Sequence, residues 1–201
     1  MKKIFVLFVL LFSLAVNAQT KQKSKSNNVK NTTSKIEFDG AYISTGKTFV
    51  YLEPQKVIYG RFGRCVGGIR DFDLCNTYFL ENLNGLISVN SGVNKLIISG
   101  NQFVNDLGNY RLSYLRNFSA DFGMCVWNNE TDTSYSFAGD KAVYTPKFTA
   151  NDLKNFDTLN IRTKSISTNK AEILLVQPLK KNENYVLYNI KNKNYFIFSI
   201  K

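Results

Sequence analysis

Histidine is absent from the 201 residues, and cysteine, proline and tryptophan number only three, three and one. Without an imidazole there is no Ser–His–Asp or Cys–His system, because those arrangements need a base that takes the nucleophile's proton near neutral pH. His-based zinc, copper and non-haem iron sites are excluded on the same ground, and three cysteines cannot close a four-thiolate zinc site. Dense acidic loops are missing too: "DFD" at Asp71–Asp73 and "NNETDT" at Asn128–Thr133 fall short of a calcium loop. No metal and no cofactor is therefore expected. Carboxylate, lysine or tyrosine chemistry stays open, as does the absence of catalysis.

The chain begins "MKKIFVLFVLLFSLAVNAQT". Lys2 and Lys3 precede an apolar stretch from Ile4 to Leu14, and small residues lead to Ala18. This is the anatomy of a cleaved secretory signal over residues 1–18. The apolar stretch is shorter than the roughly twenty residues that cross a bilayer as a helix, so no transmembrane helix is expected. Residues 19–35, "QTKQKSKSNNVKNTTSK", hold one apolar residue, Val29, and read as a disordered basic tether. The folded body is then 36–201, long enough for one domain with its own core. Localisation outside the inner membrane follows: periplasmic, cell-surface or secreted.

A formal charge of +11 points toward nucleic acid until it is divided along the chain. Seven of the 26 Lys and Arg lie in the first 35 residues, so 19 cations face 15 carboxylates in the body. A nucleic-acid binder concentrates its charge on one face, and no dense basic run exists beyond Lys180–Lys181. No nucleic-acid partner is expected. An envelope protein or a glycan fits better.

The body consists of short aromatic and β-branched runs punctuated by Asn, Gly, Asp and Lys. Strands are predicted at Tyr42–Ser44, Thr48–Leu52, Lys56–Phe62, Leu86–Val89, Lys95–Ser99, Tyr110–Arg116, Gly123–Trp127 and Tyr135–Ala138. Four more follow at Thr158–Ser165, Ala171–Val176, Tyr185–Ile190 and Tyr195–Ile200. Two short helices are predicted, one in "DFDLCNTYFLENLNG" from an Asp71 or Asp73 cap to Gly85, one in "TANDLKNF". The fold class is all-β, mainly an antiparallel β-sandwich with one or two short helices. A small outer-membrane barrel is the alternative architecture, although most strands are shorter than the ten or so residues it needs.

The segments "VQPLKKNENYVL" near the C-terminus and Gly40-Ala41-Tyr42, Gly46-Lys47 and Leu52-Glu53-Pro54 near the start resemble the two ends of secreted bacterial β-domains of unknown function. Gln19 directly after the signal and the Asn/Lys-rich composition are similar to exported proteins of Bacteroidetes-type bacteria. The resemblance implies a β-sandwich and names no catalytic residue.

The stretch "AYISTGKT" fits a permissive phosphate-binding loop. Such a loop follows a strand and opens a helix whose N–H groups hold phosphate. Here "FVYLEP" follows, a strand running into Pro54, so no nucleotide is expected and "STGK" reads as a hairpin turn with Gly46 at positive φ.

Asp71 and Asp73, at i and i+2, sit about 7 Å apart if the backbone is extended, within the range of glycosidase carboxylate pairs. They are the candidates for a carboxylate-dependent glycan hydrolase, against the plainer roles of helix cap and turn residue. In an oxidising compartment Cys65 and Cys75 are expected to form a disulfide, whose short loop is stabilising by about 3 kcal/mol. That leaves Cys125 over; Cys65–Cys125 is the rival pairing, and three free thiols are the remaining alternative. Trp127, Tyr135 and Tyr144 are candidates for stacking on a ligand ring, against a core role. Asp157-Thr158-Leu159 resembles an exported-protein O-glycosylation motif, with Thr158 as acceptor. The expected protein is a non-catalytic binding or structural domain.

Overall fold

The computed structural model describes residues 32–66, 69–80, 82–83, 85–90, 92–93, 95–117, 124–130, 133–136, 144–149 and 152–201; the side chains of 62, 64–66, 69–77, 124, 126, 133–136, 148–149 and 152–155 lie outside that description. The signal 1–18 and most of the tether 19–35 fall outside the described residues. Thr32–Thr33, expected within the tether, form strand β1 and pair antiparallel with Val50 and Phe49.

The "STGK" turn behaves as expected. It joins β2 (Gly40–Ser44) to β3 (Phe49–Leu52), Gly46 has φ 87°, and Thr45 N donates to Thr48 O at 3.0 Å. Strands β4 (Ile58–Val66), β5 (Ile69–Phe79), β6 (Ile87–Val89) and β7 (Lys95–Ser99) follow, then the single-turn helix α1 (Asn101–Val104) and β8 (Tyr110–Asn117). Next come β9 (Met124–Asn128), β10 (Thr133–Ser136), β11 (Tyr144–Pro146), β12 (Phe148–Thr149) and β13 (Asp152–Phe156). The chain ends in β14 (Ile161–Ser167), β15 (Lys170–Leu175), β16 (Glu183–Asn189) and β17 (Asn194–Ile200).

The strands form a six-stranded sheet β1-β3-β2-β7-β15-β14, a four-stranded sheet β10-β9-β4-β5, a five-stranded sheet β11-β8-β16-β17-β6 and the pair β12-β13. Pairing is antiparallel except between β17 and β6. The fold is all-β and sandwich-like, and the described strands form open sheets.

Alternation explains the layers. Along β16 and β17, Tyr185, Leu187, Phe196 and Phe198 enter a first core with Ile43, Leu96, Ile98 and Ile173 of the six-stranded sheet. Their neighbours Val186, Tyr188, Tyr195 and Ile197 point the other way, into a second core with Leu80 and Leu115. The five-stranded sheet is thus a middle layer covered on both faces, which is why β16 and β17 read as near-continuous apolar runs.

The six-stranded sheet ends at β14, where nearly every residue is exposed. Arg162 and Lys164 guard that edge, a common defence against strand addition.

Both predicted helices are corrected. "DFDLCNTYF" lies in β5, a long strand, and "TANDLKNF" supplies β12 and β13. In the first, the polar–apolar alternation of Asp71, Phe72, Asp73 and Leu74 has period two and overrides the cap signal. Gly67-Gly68, a two-residue hairpin signal, stands between paired Val66 and Ile69. Among the described residues an α-helix forms elsewhere, at α1, and is held by packing, with Phe103 edge-on to Phe196 at 5.6 Å.

Gly100, just before α1, has φ 103°, and a Cβ there would lie 2.5 Å from Asp39 Cγ. Gly100→Ala is therefore expected to destabilise the fold by about 1–3 kcal/mol, read as a lower denaturation midpoint than wild type.

Candidate functional site

Three open depressions mark the described surface, of about 490, 390 and 250 Å3. The largest is lined mainly by the hydroxyl and amide groups of Thr32, Thr45, Thr48, Ser88 and Asn90, and the only carboxylate lining any of the three is Asp39. Among the described residues no cluster of three or more His, Cys, Asp or Glu could hold a metal. No helix among them is long and apolar enough to cross a membrane.

The sequence candidates disperse. Asp71 and Asp73 lie on β5, beside an irregular stretch: Arg64 opposes Asp71, while Phe62 opposes Cys75. Their side chains, with those of Cys65, Cys75 and Tyr135, lie outside the described residues. Tyr144 packs against the second core. Thr158 is exposed, with Asp157 N donating to Lys147 O at 2.6 Å and Leu159 N to Leu112 O at 2.7 Å on either side.

Cys125 is buried and disulfide-bonded, so it is not the odd cysteine that the expected Cys65–Cys75 pairing leaves over. The reason is topological. Cys125 sits opposite Gly63, two residues from Cys65 on the neighbouring strand β4, a proximity that some sixty intervening residues hide.

Trp127 is the sequence candidate that the fold places in company. On the four-stranded sheet it lies opposite Arg61 of β4, and Tyr59, two residues earlier on the same face, lies opposite Tyr78 of β5. Side chains two apart on a strand share a face at about 7 Å spacing, and directly opposed pairs are closer still. The Tyr59 and Tyr78 rings are 5.2 Å apart and tilted by 42°. Tyr59 is 37 % exposed, and Tyr78, Arg61 and Trp127 are half-buried.

Lys193 completes the row. It ends the β16–β17 turn with φ 57° and holds its ammonium 4.9 Å from the Tyr78 ring centre. The turn is fixed by Asn189, whose Oδ1 accepts from Lys191 N at 2.9 Å and Asn192 N at 3.0 Å. The Tyr78 hydroxyl beside Lys193 raises its pKa by hydrogen bonding, so the ammonium stays charged.

Tyr78 packs against the second core, as Tyr144 does. Tyr195 Oη donates to Tyr78 O at 3.2 Å, and Asn129 N donates to Tyr59 O at 3.0 Å. Arg61 Nε is shielded from solvent yet has no hydrogen-bond partner. An unmet donor of this kind costs about 1–3 kcal/mol until an acceptor arrives.

Such a face can stack planar or C–H-rich rings and attract negative charge; it offers no paired acid and base. Tyr59, Arg61, Tyr78 and Lys193 escaped sequence reasoning. The Tyr59/Arg61 alternation within the predicted strand Lys56–Phe62 was the one available signal. Compared with protein-family models, characterised proteins and solved structures, the chain gives no match.

Proposed function

We propose that the protein is exported and that its β-domain binds a component of the cell envelope without transforming it. The observation that carries this reading is the cluster of Tyr59, Tyr78, Arg61, Trp127 and Lys193, in which Tyr59 and Lys193 are exposed at the margin of the second core. Aromatic side chains that remain partly exposed on a rigid scaffold, with charged groups between them, are the usual makings of a recognition surface.

The signal over residues 1–18 and the Lys-rich residues 19–31 support export and a spacer between anchor point and domain. The Asp71/Asp73 hydrolase is the weaker reading, because the two aspartates sit on a strand beside an irregular stretch of pairing and no observation sets them in a cleft.

The reading is tested by expressing the full chain in a Gram-negative host and fractionating it. The expected result is a mature N-terminus at Gln19 and co-sedimentation of the purified mature protein with isolated envelopes. Uncleaved protein in the cytoplasm, or failure to sediment with envelopes, rejects it.

A further inference from the structure

We infer that the disulfide of Cys125 runs to Cys65, pinning β9 to β4 and leaving Cys75 as the chain's one thiol. The assignment follows from strand order and register, and it is independent of the binding role proposed above.

Strand order is the first argument. Cys125 is buried and disulfide-bonded, and the chain holds only two other cysteines. A disulfide joins Cα atoms about 4.4–6.8 Å apart whose Cβ atoms turn toward each other. Neighbouring strands come near that separation, whereas strands with another between them are about 9.5 Å apart. The four-stranded sheet runs β10-β9-β4-β5. Cys65 is on β4, next to β9, whereas Cys75 is on β5 with β4 in between.

Parity is the second argument. β4 and β9 pair without a break from Gly60↔Asn128 to Arg64↔Met124, which sets Cys125 opposite Gly63. Cys65, two residues beyond Gly63, belongs to the same face and lies diagonally across from Cys125. β4 and β5 pair regularly from Ile58↔Phe79 to Phe62↔Cys75, and the register shifts only after Phe62. Cys75 therefore shares the face of Phe62, opposite to that of Gly63 and Cys125. A bond from Cys125 to Cys75 would have to cross β4 and pass through the sheet.

Gly63 makes room for the diagonal bond. It is buried directly opposite Cys125, and having no side chain it leaves the space beside Cys65 open to two sulfurs. Diagonal neighbours are about 7–8 Å apart, nearer between their Cβ atoms. The β5 register shift falls beside Gly63, and an irregularity of this kind sharpens the local twist that brings a diagonal pair closer.

The bond closes residues 65–125 into a loop that holds β5, β6, β7, α1 and β8, with strands from the four-, five- and six-stranded sheets. A Cys65–Cys75 bond would close only one hairpin, and the longer loop takes more freedom from the unfolded chain. Its formation removes two electrons and two protons from the Cys65 and Cys125 thiols. Oxidised glutathione accepts both and leaves as two molecules of reduced glutathione.

Trypsin cuts after Arg64, Arg70, Lys95, Arg116 and Lys141, which places the three cysteines on separate peptides, 65–70, 71–95 and 117–141. The purified protein is oxidised with glutathione, unfolded in iodoacetamide and digested without reduction. Mass spectrometry is expected to find 65–70 linked to 117–141 and the alkyl label on 71–95. Cys75→Ser is expected to keep that link, and Cys65→Ser to place the label on 117–141. A link from 71–95 to either other peptide, label on all three, or loss of the link in Cys75→Ser overturns the assignment. Because the oxidant is added to purified protein, the result stands or falls separately from export and envelope binding.

Discussion

Phe198→Ala is expected to lower the unfolding free energy by about 3–5 kcal/mol, the scale of a large aromatic removed from a core that cannot collapse around the gap. Phe198 is fully buried and stacks on Tyr185 with ring centres 5.5 Å apart and planes 22° from parallel. Its strand β17 lies between β16 and β6 in the middle layer, so neighbours on both sides are fixed by ladder hydrogen bonds. The loss combines the transfer free energy of the ring with the unfilled cavity it leaves. Urea denaturation is the measurement, with the midpoint falling while the slope is unchanged. Ile166→Ala is the internal control: Ile166 is 53 % exposed on the edge strand β14, and its truncation should stay within about 0.5 kcal/mol. Similar effects at the two positions would mean that the five-stranded sheet is not the covered middle layer.

The C-terminal pair was legible because local signals agree there. "NYVLYN" and "NYFIFSI" are β-formers separated by Lys- and Asn-rich turn residues, and they pair from Glu183↔Ile200 to Asn189↔Asn194. What alternation does not reveal is which faces meet. Val186 and Leu187 are equally apolar in sequence, yet they enter different cores because a second layer covers the far side of the sheet.

Strand β5 was misread for another reason. Aspartate caps and a closing glycine mimic a helix, and only its pairing with β4 reveals the strand. The candidate face was least legible. Trp127 could be singled out by rarity, but its neighbours come from β4, from β5 and from a turn some seventy residues later, and only the register assembles them. Cys125 repeats the pattern: its place beside β4 depends on strand order rather than spacing.

The second large effect is expected in alkali. Tyr110, Tyr188 and Tyr195 are buried, and burial pushes each phenol well above its ordinary value near 10, with the Arg111 charge partly opposing the shift at Tyr188. Burial also pushes Tyr185 up, to about 12. A raised folded value means that the native state holds its proton after the unfolded chain has lost it. The associated stability is fully present below pH 10 and disappears as pH climbs from there through the folded values. Each retained proton steepens the loss by about 1.4 kcal/mol per pH unit. The three most enclosed phenols together give about 4 kcal/mol per pH unit, enough to exhaust an ordinary domain's stability within two to three units. Denaturation midpoints measured from pH 8 to 12 should therefore hold until about pH 10 and then fall steeply, with a separate step of tyrosinate absorbance at the unfolding transition as the buried phenols are released. Tyr188→Phe tests the assignment, because a ring that cannot ionise removes about 1.4 kcal/mol per pH unit from that slope. The same replacement leaves the stack on Tyr195, 5.5 Å between ring centres, in place. Midpoints that stay level through pH 11, or the lack of an absorbance step at the unfolding transition, would show that these hydroxyls reach solvent in the native state. The middle layer would then be open on the face where Tyr188 and Tyr195 lie, and the bond from Tyr195 Oη to Tyr78 O that joins it to β5 would be lost with it.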